Sequence, residues 1–137
     1  MIILAVDDDT EDFEFFSEAI REIDSSITIL KAANGHEALE VLKTHVLMPD
    51  YIFLDINMPL MDGKTCLHEI KKDPALKKIP VVMYSTSSNQ TEIMHFKTLG
   101  ANFLVKPDRF SNLVKSLMFI LGYSPERSEF FFVLFWG

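Results

Sequence analysis

The sequence predicts a single α/β domain in which a parallel sheet of five strands is covered on both faces by five helices. Two observations predict this fold class. Five short apolar segments recur along the chain, and each is followed by a segment whose apolar residues recur at helical spacing. Because such alternation is typical of βαβ crossovers, it favours a doubly wound parallel sheet whose strands are buried on both faces.

The predicted strands are continuous apolar runs. They cover residues 2–6, 27–32, 51–55, 79–85 and 101–105. The predicted helices cover residues 10–23, 34–45, 63–72, 90–98 and 108–121. Asp9 or Thr10 can cap the first helix and Asn34 the second, because their side chains accept from free N–H groups of a first turn. Pro74 stops the third helix, and Gly100 ends the fourth.

Composition narrows the class of protein. The 137 residues suit one domain, and 48% hydrophobic with 24% charged residues is typical of a globular protein. Cys66 is the single cysteine, so no internal disulfide can form. No run approaches the roughly 18–20 apolar residues that span a bilayer, and the apolar N-terminus is too short for a signal peptide. A net charge of −7 disfavours nucleic-acid binding. We therefore expect a cytoplasmic protein that binds neither membranes nor nucleic acid.

The C-terminal residues differ from the rest of the chain. We expect the folded domain to end at residue 122 and residues 123–137 to form a linker followed by a hydrophobic aromatic tail. Residues 130–136 are seven consecutive large apolar residues, which would promote aggregation if they were exposed. The sequence favours a tail that docks on its own domain or forms a homodimer contact.

Polar residues follow four of the predicted strands at the point where each strand ends. Asp7 and Asp8 follow the first strand, Asp55 ends the third, Ser85 ends the fourth, and Lys106 follows the fifth. In open parallel sheets, ligands bind outside the carboxyl ends of the strands. We therefore expect three carboxylates, one hydroxyl and one ammonium to lie together at that edge.

This set of groups fits phosphoryl transfer. Three neighbouring carboxylates repel one another unless a cation joins them, and Mg²⁺ prefers oxygen ligands of this kind. Lys106 supplies a compact positive charge for a carboxylate or a phosphoryl group, and Ser85 supplies a hydroxyl donor. The set thus contains an oxygen nucleophile and the charges that neutralise transferring oxygens.

Four motifs in order carry a resemblance to a known family. They are VDDD at 6–9, FLDINMPLMDG at 53–63, PVVMYS at 80–85 and VKP at 105–107. Over residues 1–122 the chain resembles the receiver domains of two-component response regulators, in a stand-alone form like the chemotaxis regulators. The resemblance implies a flavodoxin-like fold with strand order 2-1-3-4-5.

The resemblance also implies roles for the acidic residues. Asp8 and Asp55 would bind Mg²⁺ through their carboxylates, and Asp7 would mainly hold metal-bound water. Asn57 would add its backbone carbonyl to the metal site. Asp55 would attack the phosphohistidine of a sensor histidine kinase, or of a phosphotransfer protein, and become an acyl phosphate.

Three further residues would respond to phosphorylation. The resemblance implies that Ser85 bonds the phosphoryl oxygen, that Lys106 pairs with it, and that the Lys106–Pro107 peptide is cis. Phe103 lies three residues before Lys106, where the family often has tyrosine. It is either a half-buried strand aromatic or a switch residue that fills the space vacated by Ser85, and without a hydroxyl it could act only by packing.

The predicted function is therefore that of a phosphoacceptor signalling domain, not of an enzyme with a separate substrate. Output would pass by contact with a downstream protein of unknown identity or by phosphorelay. A haloacid-dehalogenase-like phosphatase would need a second aspartate where Asn57 stands. A nucleotide-binding flavodoxin-like protein would have a glycine-rich or hydroxyl-rich loop after the first strand, where acids stand instead. A phosphorylation-independent scaffold with the receiver fold remains the alternative.

Overall fold

The computed structural model of the chain describes residues 1–45, 47–58 and 60–123. Strands and helices alternate along these residues in the predicted order. The strands are β1 (Ile2–Val6), β2 (Thr28–Ala32), β3 (Tyr51–Leu54), β4 (Val81–Ser85) and β5 (Asn102–Val105). The helices are α1 (Thr10–Ile23), α2 (Gly35–Thr44), α3 (Gly63–Lys72), α4 (Gln90–Thr98) and α5 (Phe110–Leu121).

The sheet has the expected topology. All neighbouring strands are parallel, and their order is β2-β1-β3-β4-β5, which confirms the doubly wound, flavodoxin-like fold. Val6 pairs with Leu54, and Ser85 pairs with Val105. The residues that follow these strands are therefore brought to the same edge of the sheet.

Alternating strand side chains divide the core into two faces. The α1/α5 face contains the buried side chains of helices α1 and α5, together with Phe53 and Tyr84 from the strands. The α2–α4 face contains those of helices α2, α3 and α4, together with Met83 and Phe103. Cys66 of α3 lies in the α2–α4 face and is fully buried.

Four of the helices begin at an Asp or Asn whose side-chain oxygen accepts an N–H of the first turn. These N-cap residues are Asp9, Asn34, Asp62 and Asn89. The predicted caps Asp9 and Asn34 are thus confirmed. Because the caps satisfy N–H groups that would otherwise lack partners, each helix has a defined start close to the functional edge of the sheet.

Several predicted bounds differ from the structure by one or two residues, and one expectation about a peptide bond is wrong. The fourth strand was expected over residues 79–85, but β4 begins at Val81. Pro80 has no N–H to donate to the ladder, although its carbonyl accepts from the Ile52 N–H at 2.9 Å. The Lys106–Pro107 peptide was expected to be cis, but no peptide bond among residues 1–45, 47–58 and 60–123 is cis. Trans is the lower-energy form of such a bond.

The predicted aromatic tail and its dimer contact lie outside the described residues, since the description ends at Tyr123. Within the described part of the chain, no helix has the length and apolar character needed to cross a bilayer.

Candidate functional site

Backbone hydrogen bonds place Asp7 and Asp55 next to each other at the carboxyl ends of their strands. The Asp7 N–H donates to the Ala32 carbonyl at 3.0 Å, and the Asp55 N–H donates to the Val6 carbonyl at 3.0 Å. Each bond extends the strand ladder by one residue past its last paired position. Asp7 and Asp55 are therefore the first residues after two neighbouring, hydrogen-bonded strand ends, and they lie side by side.

Three of the predicted acidic residues lie together. Asp7, Asp8 and Asp55 each offer a carboxylate oxygen, and the three oxygens lie within 4.8 Å of one another. The Asp7 side chain is 7% exposed and that of Asp55 is 13% exposed, whereas Asp8 faces solvent. Hard divalent cations such as Mg²⁺ take oxygen ligands from sites of this composition. The donor set therefore fits the predicted metal.

Burial makes the charged forms of two of these acids costly. It is the main cause that raises the pKa of Asp55 from its ordinary 3.8 to about 6. Lys106 opposes that rise, while the nearby charge of Asp7 adds to it. The pKa of Asp7 is also raised, again chiefly by burial, although the Asp9 N–H and Lys106 counteract it. A divalent cation at this place would favour the ionised carboxylates.

Lys106 lies among the carboxylates and is only 10% exposed. Its Nζ is 2.9 Å from Asp12 Oδ2, 3.1 Å from Asp7 Oδ2 and 3.9 Å from Asp55 Oδ1. Burial alone would lower the pKa of the ammonium, but the three carboxylates outweigh it and raise that pKa, the hydrogen bond to Asp12 most. The expected pairing with Asp55 is therefore present only at long range, because two nearer carboxylates hold the ammonium.

Asp12 and Tyr84 belong to the site although sequence reasoning assigned them no part in it. Asp12 lies in the first turn of α1, five residues after Asp7, and this proximity along the chain was the available signal. Tyr84 directly precedes Ser85 and faces the opposite side of the sheet. The Lys106 ammonium lies 4.9 Å from the centroid of its ring, in the range of a cation–π interaction.

Ser85 is 2% exposed at the end of β4. Its Oγ accepts a hydrogen bond from the Ser87 N–H at 3.2 Å. Its backbone carbonyl accepts from the Lys106 N–H at 2.7 Å. Ser85 and Lys106 are thus joined through the main chain, and the Ser85 hydroxyl hydrogen remains a donor for an acceptor at this edge.

The loop between β3 and α3 is closed tightly against Asp55. The Gly63 N–H donates to the Ile56 carbonyl at 2.8 Å. A Cβ at Gly63 would lie 2.2 Å from the Asp55 carbonyl oxygen, so only glycine fits there. Asn57 is exposed in this loop, and Leu60 is 87% exposed with a φ of 66°. The loop therefore fixes the backbone of Asp55 while it presents Asn57 to solvent.

Phe103 lies deeper than a half-buried strand residue. It is 8% exposed in the α2–α4 face, and its ring centroid is 6.1 Å from that of Phe96 on α4. Asn102, the residue before it, is exposed. Phe103 therefore packs directly against α4.

Comparison with known proteins agrees with this geometry. The response regulator receiver domain family matches residues 3–118. The response regulator Rcp1 of Synechocystis sp. is 33% identical over 130 residues, which cover 89% of this chain and 87% of Rcp1. The sensor histidine kinase CheAY of Helicobacter pylori is 35% identical over 107 residues, or 77% of this chain, which spans only 13% of CheAY.

Solved structures share the fold. The phosphorylated cyanobacterial phytochrome response regulator RcpA is similar with a TM-score of 0.80 and 33% identity, over 93% of this chain and 98% of that chain. The Mn²⁺-bound form of Rcp1 gives a TM-score of 0.78 and 29% identity, over 93% and 96%. The family match covers most of the chain, and the four motifs and the strand order agree with it. This chain therefore belongs to the response regulator receiver domain family.

Proposed function

We propose that this chain accepts a phosphoryl group on Asp55, in a Mg²⁺-dependent reaction, from the phosphohistidine of a sensor histidine kinase or phosphotransfer protein. One observation carries the proposal. Three carboxylate oxygens lie within 4.8 Å of one another, and a nearly buried ammonium lies 3.9 Å from Asp55 Oδ1. Acids alone could merely cap a helix, but acids around a buried lysine are what phosphoryl transfer needs.

In this proposal the metal is held by the chain's own oxygens. Asp8 and Asp55 would bind it through their carboxylates, Asp7 would hold metal-bound water, and Asn57 would add its backbone carbonyl. Bound Mg²⁺ would neutralise charge on the acids and on the transferring phosphoryl oxygens. The Mn²⁺-bound form of the relative Rcp1 supports a divalent cation in such a site.

Asp55 is the proposed nucleophile. Its carboxylate oxygen attacks the phosphorus of the phosphohistidine, the P–N bond breaks, and the imidazole leaves with the electron pair. Lys106 donates a hydrogen bond to an oxygen of the transferring group and stabilises its charge. Attack by water then returns the Asp55 carboxylate and inorganic phosphate. The chain thus catalyses its own phosphorylation and dephosphorylation.

Ser85 and Phe103 are the proposed switch residues. The Ser85 hydroxyl would turn from Ser87 towards the phosphoryl oxygen, and the Phe103 ring would follow into the space it leaves. Phe96 contacts Phe103, so the displacement would reach α4. Output would then occur by contact with a downstream protein or by transfer of the phosphoryl group to a second phosphotransfer protein.

Intact-mass spectrometry after incubation with acetyl phosphate and Mg²⁺ tests the proposal. We expect wild type to gain one phosphoryl group, about 80 Da, at a carboxylate nucleophile. The Asp55→Asn variant should gain none. An adduct that persists in Asp55→Asn would place the acceptor elsewhere.

Asp50→Asn is the matched control, because this exposed carboxylate lies at the opposite end of β3 and binds the Ile2 N–H. It should be phosphorylated like wild type. If wild type gains no adduct from acetyl phosphate or from a histidine kinase, the phosphorylation-independent scaffold would be the better assignment.

The aromatic tail is proposed to mediate docking or self-association. The proposal is supported by the seven consecutive large apolar residues at 130–136. Deletion of residues 128–137 should change the oligomeric state measured by sedimentation, or lower the thermal stability. Unchanged hydrodynamic size together with unchanged stability would refute the proposal.

A further inference from the structure

We infer that Asp12 is a positioning residue of the phosphoryl-transfer site: with Asp7, it holds the Lys106 ammonium so that one N–H donor faces Asp55. The inference rests on the proposed function of Asp55 and adds a residue to it. Neither the metal ligands nor the switch residues include Asp12, which lies on the first turn of α1 and is 44% exposed.

The distances show that two of the three neighbouring carboxylates accept a hydrogen bond from the ammonium. The bonds to Asp12 at 2.9 Å and to Asp7 at 3.1 Å have ordinary hydrogen-bond lengths. The separation of 3.9 Å from Asp55 Oδ1 is too long for a hydrogen bond. Two of the three donors are therefore used, which leaves one for an oxygen of a phosphoryl group on Asp55, the next carboxylate in distance from Nζ.

Asp12 is needed because of what else surrounds Lys106. The Lys106 side chain is 10% exposed, so water gives its charge little compensation, and the Tyr84 ring centroid lies 4.9 Å from Nζ. Without Asp12 the ammonium would keep Asp7 and move towards Asp55, the remaining carboxylate. A direct bond to Lys106 would engage the oxygen that must attack phosphorus. Asp12 thus keeps the nucleophile free and the donor in place.

A simpler explanation treats Asp12 only as a favourable negative charge at the start of a helix. Glu11 provides the comparison, because it carries the same charge on the same turn and is not among the carboxylates that pair with Lys106. A helix-start effect predicts equal behaviour of the two residues. A positioning role predicts an effect of Asp12 alone.

The experiment compares Asp12→Ala, Asp12→Asn and Glu11→Gln in the full chain. In Mg²⁺ and acetyl phosphate, the second-order phosphorylation rate of Asp12→Ala should fall about tenfold, since misplaced catalytic groups lose rate steeply. Asp12→Asn retains an oxygen acceptor and should lose only about threefold. Glu11→Gln should stay within about twofold, as expected for a screened surface charge. Thermal unfolding checks that all three variants are folded.

A second readout needs neither metal nor phosphate. The NMR signal of the Lys106 side-chain ammonium in the metal-free protein should shift in Asp12→Ala and stay in place in Glu11→Gln. Equal rates and an unmoved signal in Asp12→Ala would overturn the positioning role, as would equal losses in Asp12→Ala and Glu11→Gln. Absence of any adduct on wild type, or an adduct retained by Asp55→Asn, would instead refute the proposed function of Asp55.

Discussion

Helices α1 and α4 lie on opposite faces of the sheet and are anchored very differently. Helix α1 buries Phe16, Ala19 and Ile20 against the strands and packs beside α5, which buries three leucines. Helix α4 buries only Phe96, and its Met94 is 55% exposed. Few buried contacts mean a low free energy of local opening. We therefore expect α4 to open far more readily than α1.

The difference in anchoring matches the two tasks that the proposed function requires of one domain. The acids and Lys106 lie beside the well-anchored α1, which would keep the proposed reacting groups at fixed distances. The proposed switch, Ser85 and Phe103, borders the weakly anchored α4, where a small displacement can change a surface. In the proposed function, the chemistry would thus lie on the better anchored side of the sheet, and the response that depends on movement would lie on the other.

The largest expected effect on stability comes from removing one aromatic ring from each face of the sheet. Phe53→Ala removes a ring that contacts Phe16 at a centroid distance of 4.9 Å, and should lower the free energy of unfolding by about 3–5 kcal/mol. Phe96→Ala removes the only buried side chain of α4, so α4 should open locally before the rest unfolds. Urea denaturation and amide hydrogen exchange measure the two effects.

The comparison fails if the two variants behave alike. In Phe96→Ala, amide protection should be lost in α4 while α1 and α5 keep theirs. If α1 and α4 amides instead lose protection together and by equal amounts, the two helices belong to one cooperative unit.

The second expected effect is electrostatic and concerns Asp55, which lies among the acids beside α1. Asp55 has a pKa of about 6 in the folded protein, against 3.8 ordinarily, so the folded state binds more protons between these values. Stability of the metal-free protein should therefore fall as pH rises from about 4 to above 6, by about 3 kcal/mol at 1.36 kcal/mol per unit. The contribution is full below the ordinary pKa and absent above the folded one.

Asp55→Asn isolates this contribution, because it lacks the titrating group. The difference in unfolding free energy between Asp55→Asn and wild type should widen in favour of the variant between pH 4 and 7 in EDTA. Added Mg²⁺ should narrow the difference at pH 7 by binding folded wild type. A difference that is independent of pH would show that burial does not disfavour the Asp55 charge.

The smallest expected effect uses matched caps. Asp9 and Asn89 each accept one N–H of a first turn, in α1 and α4 respectively. Asp9→Ala should lower global stability by about 1 kcal/mol, a typical N-cap value. Asn89→Ala should cost less than half of that in urea denaturation, because its helix opens before the global transition. Equal losses would contradict the weaker anchoring of α4.

Most of the fold was predictable from the sequence because it depends on local patterns. Apolar runs and helical spacing determine the alternation of strands and helices. Because the carboxyl ends of parallel strands lie at the same edge of a sheet, Asp7 could be predicted to lie beside Asp55. The strand order was taken from a family resemblance, since crossovers alone allow several orders. Asp9 and Asn34 were found as caps because capping depends on residue type at a helix start.

The remaining details depend on how packed elements are rotated. Asp12 reaches Lys106 only because burial of Phe16 and Ile20 turns the first turn of α1 towards the edge of the sheet. Phe103 is deeper than expected because Phe96, from another helix, covers it. Neither the contact between Asp12 and Lys106 nor the depth of Phe103 can be obtained from residue spacing along the chain.

The placement of Lys106 above Tyr84 has a practical consequence for following the protein in solution. Tyr84 is one of three tyrosines, and the Lys106 ammonium, 4.9 Å from its ring centroid, contributes to the electric field on that ring. With Tyr51, Tyr123 and Trp136 replaced by Phe, Tyr84 would be the sole tyrosine and no tryptophan would overlap its ultraviolet absorbance, which would respond whenever the ammonium moved. The site therefore contains its own optical probe, able to time the motion of a single charge without an added dye.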